Sequence, residues 1–308
     1  MLSKTGRTLL VTALAPMVWG STYLVTVTLL PPGLPLTAAV LRALPAGLLL
    51  LLVVRRLPRG SWWWKALVLG GLNIGVFFAL LFVAAYRLPG GVAATVGAVQ
   101  PLIVAGLATW VLKDRLSLKV VFAGITGAAG VALLVLSSQA RLDTVGVLAA
   151  LGGAVSMATG VVLAKKWGKA EKPLTMTAWQ LVAGGLLLVP LMFIVEGVPP
   201  ELSAGNVSGY LYLSLVGTAV AYVLWFRGIQ RLPVTAPSFL GLLSPVVAAL
   251  LGWLVMGEQL ALLQGVGGLL VLGSILAVTV RRRSGRQPAV AVPAVGESPE
   301  IRIPTPLR

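Results

Sequence analysis

Residues 87–116 read RLPGGVAATVGAVQPLIVAGLATWVLKDRL, and residues 231–260 read RLPVTAPSFLGLLSPVVAALLGWLVMGEQL. Arg87-Leu88-Pro89 returns as Arg231-Leu232-Pro233. Gly97-Ala98-Val99-Gln100-Pro101 returns as Gly241-Leu242-Leu243-Ser244-Pro245, and Asp114-Arg115-Leu116 returns as Glu258-Gln259-Leu260. The offset is 144 without a gap, and 9 of the 30 aligned positions are identical. Upstream, Pro35-Leu36-Thr37 with Gly47-Leu48-Leu49 returns as Pro173-Leu174-Thr175 with Gly185-Leu186-Leu187. Two tandem halves in an apolar chain point to a transporter built from internal repeats, with its binding site between them.

Composition places the chain in a membrane before any motif is read. It is 58% hydrophobic and 10% charged, where soluble domains carry about 25% charged residues. The first apolar run is too long for a cleavable signal, and no small-residue cleavage site follows it. There is no cysteine and no histidine. Disulfides, thiolate chemistry, haem and most zinc sites are therefore excluded, and no cofactor is expected. The net charge of +16 would suggest nucleic acid in a soluble protein; membrane topology accounts for it here.

Ten apolar stretches of roughly 20 residues are each long enough to cross a bilayer as a helix. They lie near 8–29, 35–54, 65–86, 91–112, 119–137, 145–164, 174–195, 209–229, 235–256 and 261–280. Lipid offers no partner to exposed backbone groups, and the runs are too long for barrel strands. The expected fold is an all-α membrane protein of ten transmembrane helices in two inverted-topology five-helix repeats. The first repeat covers 8–137 and the second 145–280. Residues 281–308 form a polar, proline-containing tail read as a disordered cytosolic segment.

Alternating the chain across the membrane at each span puts 21 of the 24 basic residues on one side. That side holds both termini. The other has Arg87 and Arg141, and Arg42 lies within a span. The positive-inside rule then makes both termini cytoplasmic. Five spans per half is an odd number, so the second half enters inverted. Loop charge follows: the basic Arg55–Lys65 connection corresponds to 196–209, which has no Lys or Arg.

Arg42 is the sole ionisable residue well inside a span. Such a residue costs at least ~2.5–3.5 kcal/mol and faces a cavity or a partner. It either anchors an anionic substrate or serves structure, snorkelling outward or holding helix carbonyls. Its repeat counterpart is Gln180. Pro101 and Pro245 sit mid-span, each four residues after Gly97 or Gly241. A proline there frees a carbonyl and bends the helix, which gives either paired hinges or static kinks. Polar and aromatic side chains recur at helical spacing: Trp19 and Tyr23; Asn73 and Phe77; Thr218, Tyr222 and Trp225; and Gln100 with Ser244 beside the prolines. They are interhelical contacts or the lining of an aromatic pocket for planar or amphipathic molecules. Trp62, Trp63 and Trp64 read as an interfacial belt. The glycines of spans 5 and 10 read as packing surfaces, within the chain or across a homodimer. Asp114 and Glu258 read as caps of those spans.

Taken with Trp19-Gly20-Ser21, Leu41-Arg42 and Ala221–Gly228, these doubled motifs resemble the EamA family of the drug/metabolite transporter superfamily over residues 8–280. The run Leu30–Leu36 and the 41–52 segment are similar to its blue-pigment (indigoidine) exporter subgroup. The resemblance implies a plasma-membrane carrier for amino acids, pigments or similar metabolites, with a central cavity between spans 1, 3, 4, 6, 8 and 9. The expected activity is secondary transport, exporting small amphipathic metabolites by alternating access. A carrier of lipid-linked sugars or drugs is the alternative, disfavoured for cationic drugs because no acid lies in a span. The expected partners are a small-molecule substrate and the lipid bilayer. An intramembrane enzyme would need a nucleophile with its base, or a metal site; none is legible.

Overall fold

The computed structural model describes residues 3–88, 90–135, 143–199, 201–257 and 261–280; the side chains of 23, 82, 85, 86, 90–93 and 169 are outside this description. The tail, Arg141 and Glu258 therefore lie outside it too. Every regular element among the described residues is helical. Ten helical stretches are long and apolar enough to cross a membrane.

Spans 2, 5, 6, 7 and 10 are single helices: Pro35–Val54, Leu118–Val135, Thr144–Trp167, Pro173–Val195 and Leu262–Thr279. A proline opens spans 2 and 7, where its missing N–H costs nothing. Span 1 is divided at Ser21 into Lys4–Gly20 and Thr22–Leu29. Span 4 is divided into Gly90–Gly97 and Gln100–Val111, and span 9 into Thr235–Leu240 and Leu243–Met256. The cause of these two breaks is local. Pro101 and Pro245 have no N–H to give the carbonyls of Gly97 and Gly241, so the ladder lapses one turn upstream. Tighter bonds bridge the gap, Val99 to Val96 and Ser244 to Gly241.

Spans 3 and 8 are interrupted differently. Span 3 runs Trp62–Gly70, then a π-helical turn at Gly71–Val76, then Phe77–Arg87. Span 8 runs Ala204–Ser214, a π-helical turn at Leu215–Val220, then Ala221–Arg231. The two π-turns are 144 residues apart, the offset of the sequence repeat. A π-turn widens the helix and shifts the facing of every residue beyond it.

Span 2 packs lengthwise on span 7, and span 5 on span 10. Span 1 packs on spans 8 and 9, as span 6 packs on spans 3 and 4. Exchanging each span n with span n+5 leaves these pairings unchanged. Lipid tails are as apolar as leucine, so these contacts rest on close packing and interhelical hydrogen bonds. At Gly130 an added Cβ would lie 2.8 Å from the Gly267 carbonyl oxygen, and at Gly127 2.8 Å from Ser274. This glycine packing thus lies within the chain, whereas Gly265 and Gly273 meet nothing within 4 Å. Leu52, Trp110, Phe122, Ile194 and Leu269 stay exposed on the outer faces, as lipid-facing residues do.

The ends of the bundle are tied by side chains. The Glu196 carboxylate closes span 7 onto the start of span 2, accepting from Leu36 N (2.5 Å), Thr37 N (2.7 Å) and Thr37 Oγ1 (2.7 Å). An anion at a helix N-terminus satisfies otherwise unpaired donors. At the opposite end, Lys165 Nζ donates to the carbonyls of Gln230 and Leu232, each at 2.8 Å. Trp62 is buried against Trp179 rather than lying in an interfacial belt, while Trp63 and Trp64 are exposed.

Candidate functional site

The wider turn of a π-helix leaves carbonyls free to bond outside their own helix. Gly217 O, in the π-turn of span 8, accepts from Trp19 Nε1 of span 1 at 3.0 Å and from Arg42 Nη2 of span 2 at 3.5 Å. Arg42 Nε also donates to Thr218 Oγ1 at 3.3 Å. The guanidinium carbon stands 4.8 Å from the centre of the Phe78 ring, within cation–π range. Trp19 meets Tyr222 and Trp225 with ring centres 5.2 and 5.1 Å apart, and Tyr222 meets Phe226 at 5.9 Å. Arg42 is 6% exposed, Trp225 2% and Thr218 0%. Arg42 therefore does not snorkel: it is buried against the Phe78 ring, the Thr218 hydroxyl and the Gly217 carbonyl.

The other half repeats the scheme with neutral groups. In the π-turn of span 3, Leu72 O accepts from Ser156 Oγ of span 6 at 2.8 Å. Asn73 Nδ2 donates to Gln180 Oε1 of span 7 at 2.7 Å. Ser156 thus serves on span 6 as Trp19 serves on span 1, and Gln180 reaches span 3 as its counterpart Arg42 reaches span 8. Gly160 lets span 6 close on this pair: an added Cβ would overlap the Asn73 amide. Asn73 Oδ1, Ser214 Oγ and Trp225 Nε1 are buried without a hydrogen-bond partner.

Of the residues singled out from the sequence, Trp19, Arg42, Thr218, Tyr222 and Trp225 come together in one cluster. Phe77 adjoins it through Phe78, ring centres 5.6 Å apart. Asn73 belongs to the mirror arrangement. Gly241 lies beside the cluster: a Cβ there would sit 3.7 Å from the Trp225 ring. Ser244 is half-buried, its carbonyl against Gly20 of span 1. Gln100 and Gly97 are half-buried on span 4, Gly97 with nothing within 4 Å of an added Cβ. Pro101 is buried and Pro245 half-buried. The side chain of Tyr23 lies outside the described residues. Phe78, Gly217 and Gly160 were not legible as site residues. Ser156 and Gly160, four apart and small, carried the packing signal that could have found the span 6 contact.

A pocket of about 250 Å³ opens elsewhere, beside Ala105, Ala108 and Thr109 of span 4, Asp114, and Pro233 and Thr235 at the start of span 9. Span 5 begins at Leu118, so Asp114 lines this opening four residues ahead of the helix it was expected to cap.

Against known proteins, the EamA-like transporter family matches twice, at residues 6–136 and 144–280. The chain belongs to that family. Protein PecM of Dickeya dadantii is 45% identical over 266 residues, 86% of this chain and 89% of its own length. The uncharacterized transporter YwfM of Bacillus subtilis is 29% identical, over 88% of this chain and 93% of its own. A crystal structure 20% identical in sequence matches with a TM-score of 0.75, covering 89% of this chain and 96% of that one. The family, the relatives named as transporters and the ten apolar helices make this chain a multi-pass membrane transporter.

Proposed function

We propose that this family member is a secondary transporter that exports small amphipathic metabolites by alternating access, from a plasma membrane with both termini cytoplasmic. The observation that carries this is the matched pair of breaks in spans 4 and 9. Each sits at a proline, and they differ in surroundings: the span 9 break is packed beside Trp225, while Gly97 at the span 4 break faces open space. One structural unit in two environments is what two halves exchanging conformations would present. The exchangeable packing of the spans supports an inverted repeat in the same way.

The substrate site in this reading is the cluster of Trp19, Arg42, Thr218, Tyr222 and Trp225. Phe77 adjoins it through Phe78, and Asn73, Gln100, Ser244 and Tyr23 are assigned to it from the sequence. The breaks at Gly97–Pro101 and Gly241–Pro245 serve as hinges. The pocket beside Thr109 and Asp114, on the basic side of the bundle, is the entrance from the cytoplasm. Aromatic rings with a few polar groups favour planar, amphipathic molecules. The subgroup resemblance makes aromatic amino acids and flat pigments the first compounds to try. Everted membrane vesicles carrying the protein should accumulate labelled tryptophan or phenylalanine saturably, above vesicles that lack it. Equal uptake by both across aromatic amino acids, nucleosides and pigments would count against export.

A further inference from the structure

Among the described residues the charge of Arg42 has no anionic partner within 4.0 Å. Among the described residues the single ion pair within 4.0 Å is Arg87 with Asp143, both well exposed. Glu196 spends both carboxylate oxygens on the start of span 2, and Glu201 is exposed at the end of the bundle. A guanidinium offers five N–H donors. Here two are used, at 3.3 and 3.5 Å, longer than charge-assisted bonds run. The acceptor of one, Gly217 O, is already engaged by Trp19 at 3.0 Å. In the mirror arrangement the same position is Gln180, whose contact with Asn73 is 2.7 Å. A neutral residue therefore satisfies the fold at this position, and satisfies it with a shorter bond. A charge kept where a neutral amide makes the better interhelical contact calls for a reason beyond packing.

The surroundings say what the missing partner resembles. Trp19 is the half-buried ring of the cluster. Behind it, Tyr222, Trp225 and Phe78 are fully buried. Within the cluster, Trp225 Nε1 is buried and makes no hydrogen bond.

We propose that the transported substrate is an aromatic or conjugated organic anion whose carboxylate, or equivalent anionic group, takes Arg42 from the Gly217 carbonyl while its planar body lies against Trp19, Tyr222 and Trp225. This deepens the transport reading and rests on it. The weak Arg42–Gly217 contact is the resting position of a charge that the substrate recruits. Because Gly217 lies in the π-turn of span 8, recruitment also releases one of the two hydrogen bonds by which Arg42 ties span 2 to span 8, the other being to Thr218. Neutral analogues lack the anion needed to do this and are held by the rings alone.

The test compares acids with their neutral amides on the purified full-length protein. Cysteine-reactive reporter dyes do not apply to a chain without cysteine. Thermal survival is read instead by size-exclusion chromatography after heating, at increasing concentrations of indole-3-acetate against indole-3-acetamide and of 4-hydroxybenzoate against 4-hydroxybenzamide. A ligand that binds the folded state alone raises survival in proportion to its affinity. The expected result is stabilisation of the native protein by an acid at a concentration tenfold or more below its amide. Arg42→Gln should bind acid and amide alike, and Arg42→Lys, which keeps the charge but loses the planar fork, should keep a reduced preference. Equal effects of acid and amide, no effect of any acid, or a preference that survives in Arg42→Gln would overturn the proposal. Should Arg42→Gln fold poorly, Arg42→Lys decides: an undiminished preference overturns it. None of these outcomes touches the vesicle uptake experiment, so a transporter of neutral substrates would still be recognised.

Discussion

At the scale of single residues, the two π-turns turn weak positions into connections. Asn73 and Gly217 occupy the same place 144 residues apart, one carrying an amide and the other lending its carbonyl. The halves differ in what these groups do: Asn73 donates to Gln180, and the Gly217 carbonyl accepts from Trp19 and Arg42. Gly160 has no side chain because the Asn73 amide fills that space. Gly160→Ala should displace Asn73 from Gln180 and cost ~1–3 kcal/mol of stability, the usual penalty of overpacking. Asn73→Ala in the same chain should recover part of that loss, so that the two effects do not add. A thermal double-mutant cycle measures this, and simple additivity would show that the two residues do not compete for space. Arg42 and the aromatic stripe were visible in the sequence as a lone charge and as helical spacing. Their mutual contacts were not, because they depend on which face each span turns inward. The π-turns shift that facing, and nothing in the types of residue at 71–76 or 215–220 marks an i→i+5 bond.

At the scale of elements, hydropathy fixed the spans because a bilayer demands unbroken apolar helices. The ends were less legible: span 3 begins at Trp62 and span 8 at Ala204, ahead of the expected 65 and 209. A tryptophan packed inward in one case and a Ser203–Asn206 capping box in the other extend the helices past their most apolar stretch. The breaks in spans 4 and 9 were legible because proline removes a named hydrogen bond. Their unequal packing was not, and it makes the glycines near them differ. Gly97→Ala meets open space and should leave stability within about 0.5 kcal/mol. Gly20→Ala, which closes span 1 on span 9, would put its Cβ 2.6 Å from Val247 Cβ and 2.8 Å from the Ser244 carbonyl oxygen, and should lower the melting midpoint clearly. Equal effects would mean that spans 1 and 9 are not in close contact. Pro245→Ala supplies an N–H that can restore the regular α-helical bond to the Gly241 carbonyl, which otherwise accepts from Ser244 N. In a hinge it should slow transport at unchanged amounts of folded protein, whereas in a static kink transport would stay as it was.

At the scale of the whole molecule, the ungapped repeat and the lopsided basic charge carried most of the architecture. The inverted repeat is our reading of both, and of pairings that survive exchange of the halves. Its topology is open to direct test because the chain has no cysteine. Ala204→Cys at the start of span 8 and Ser61→Cys at the start of span 3 each place one thiol on an exposed residue. In intact cells an impermeant maleimide should label position 204 and not 61, and the reverse pattern would turn the molecule over. A carrier does more than insert in the membrane: it exposes one site to each face in turn. Counterflow tests that most directly. Proteoliposomes preloaded with unlabelled tryptophan and diluted into a trace of labelled tryptophan should show a transient overshoot of label inside, saturable in the internal concentration and abolished without protein. Label that equilibrates without overshoot, at a rate linear in concentration, would make this molecule a pore and contradict alternating access.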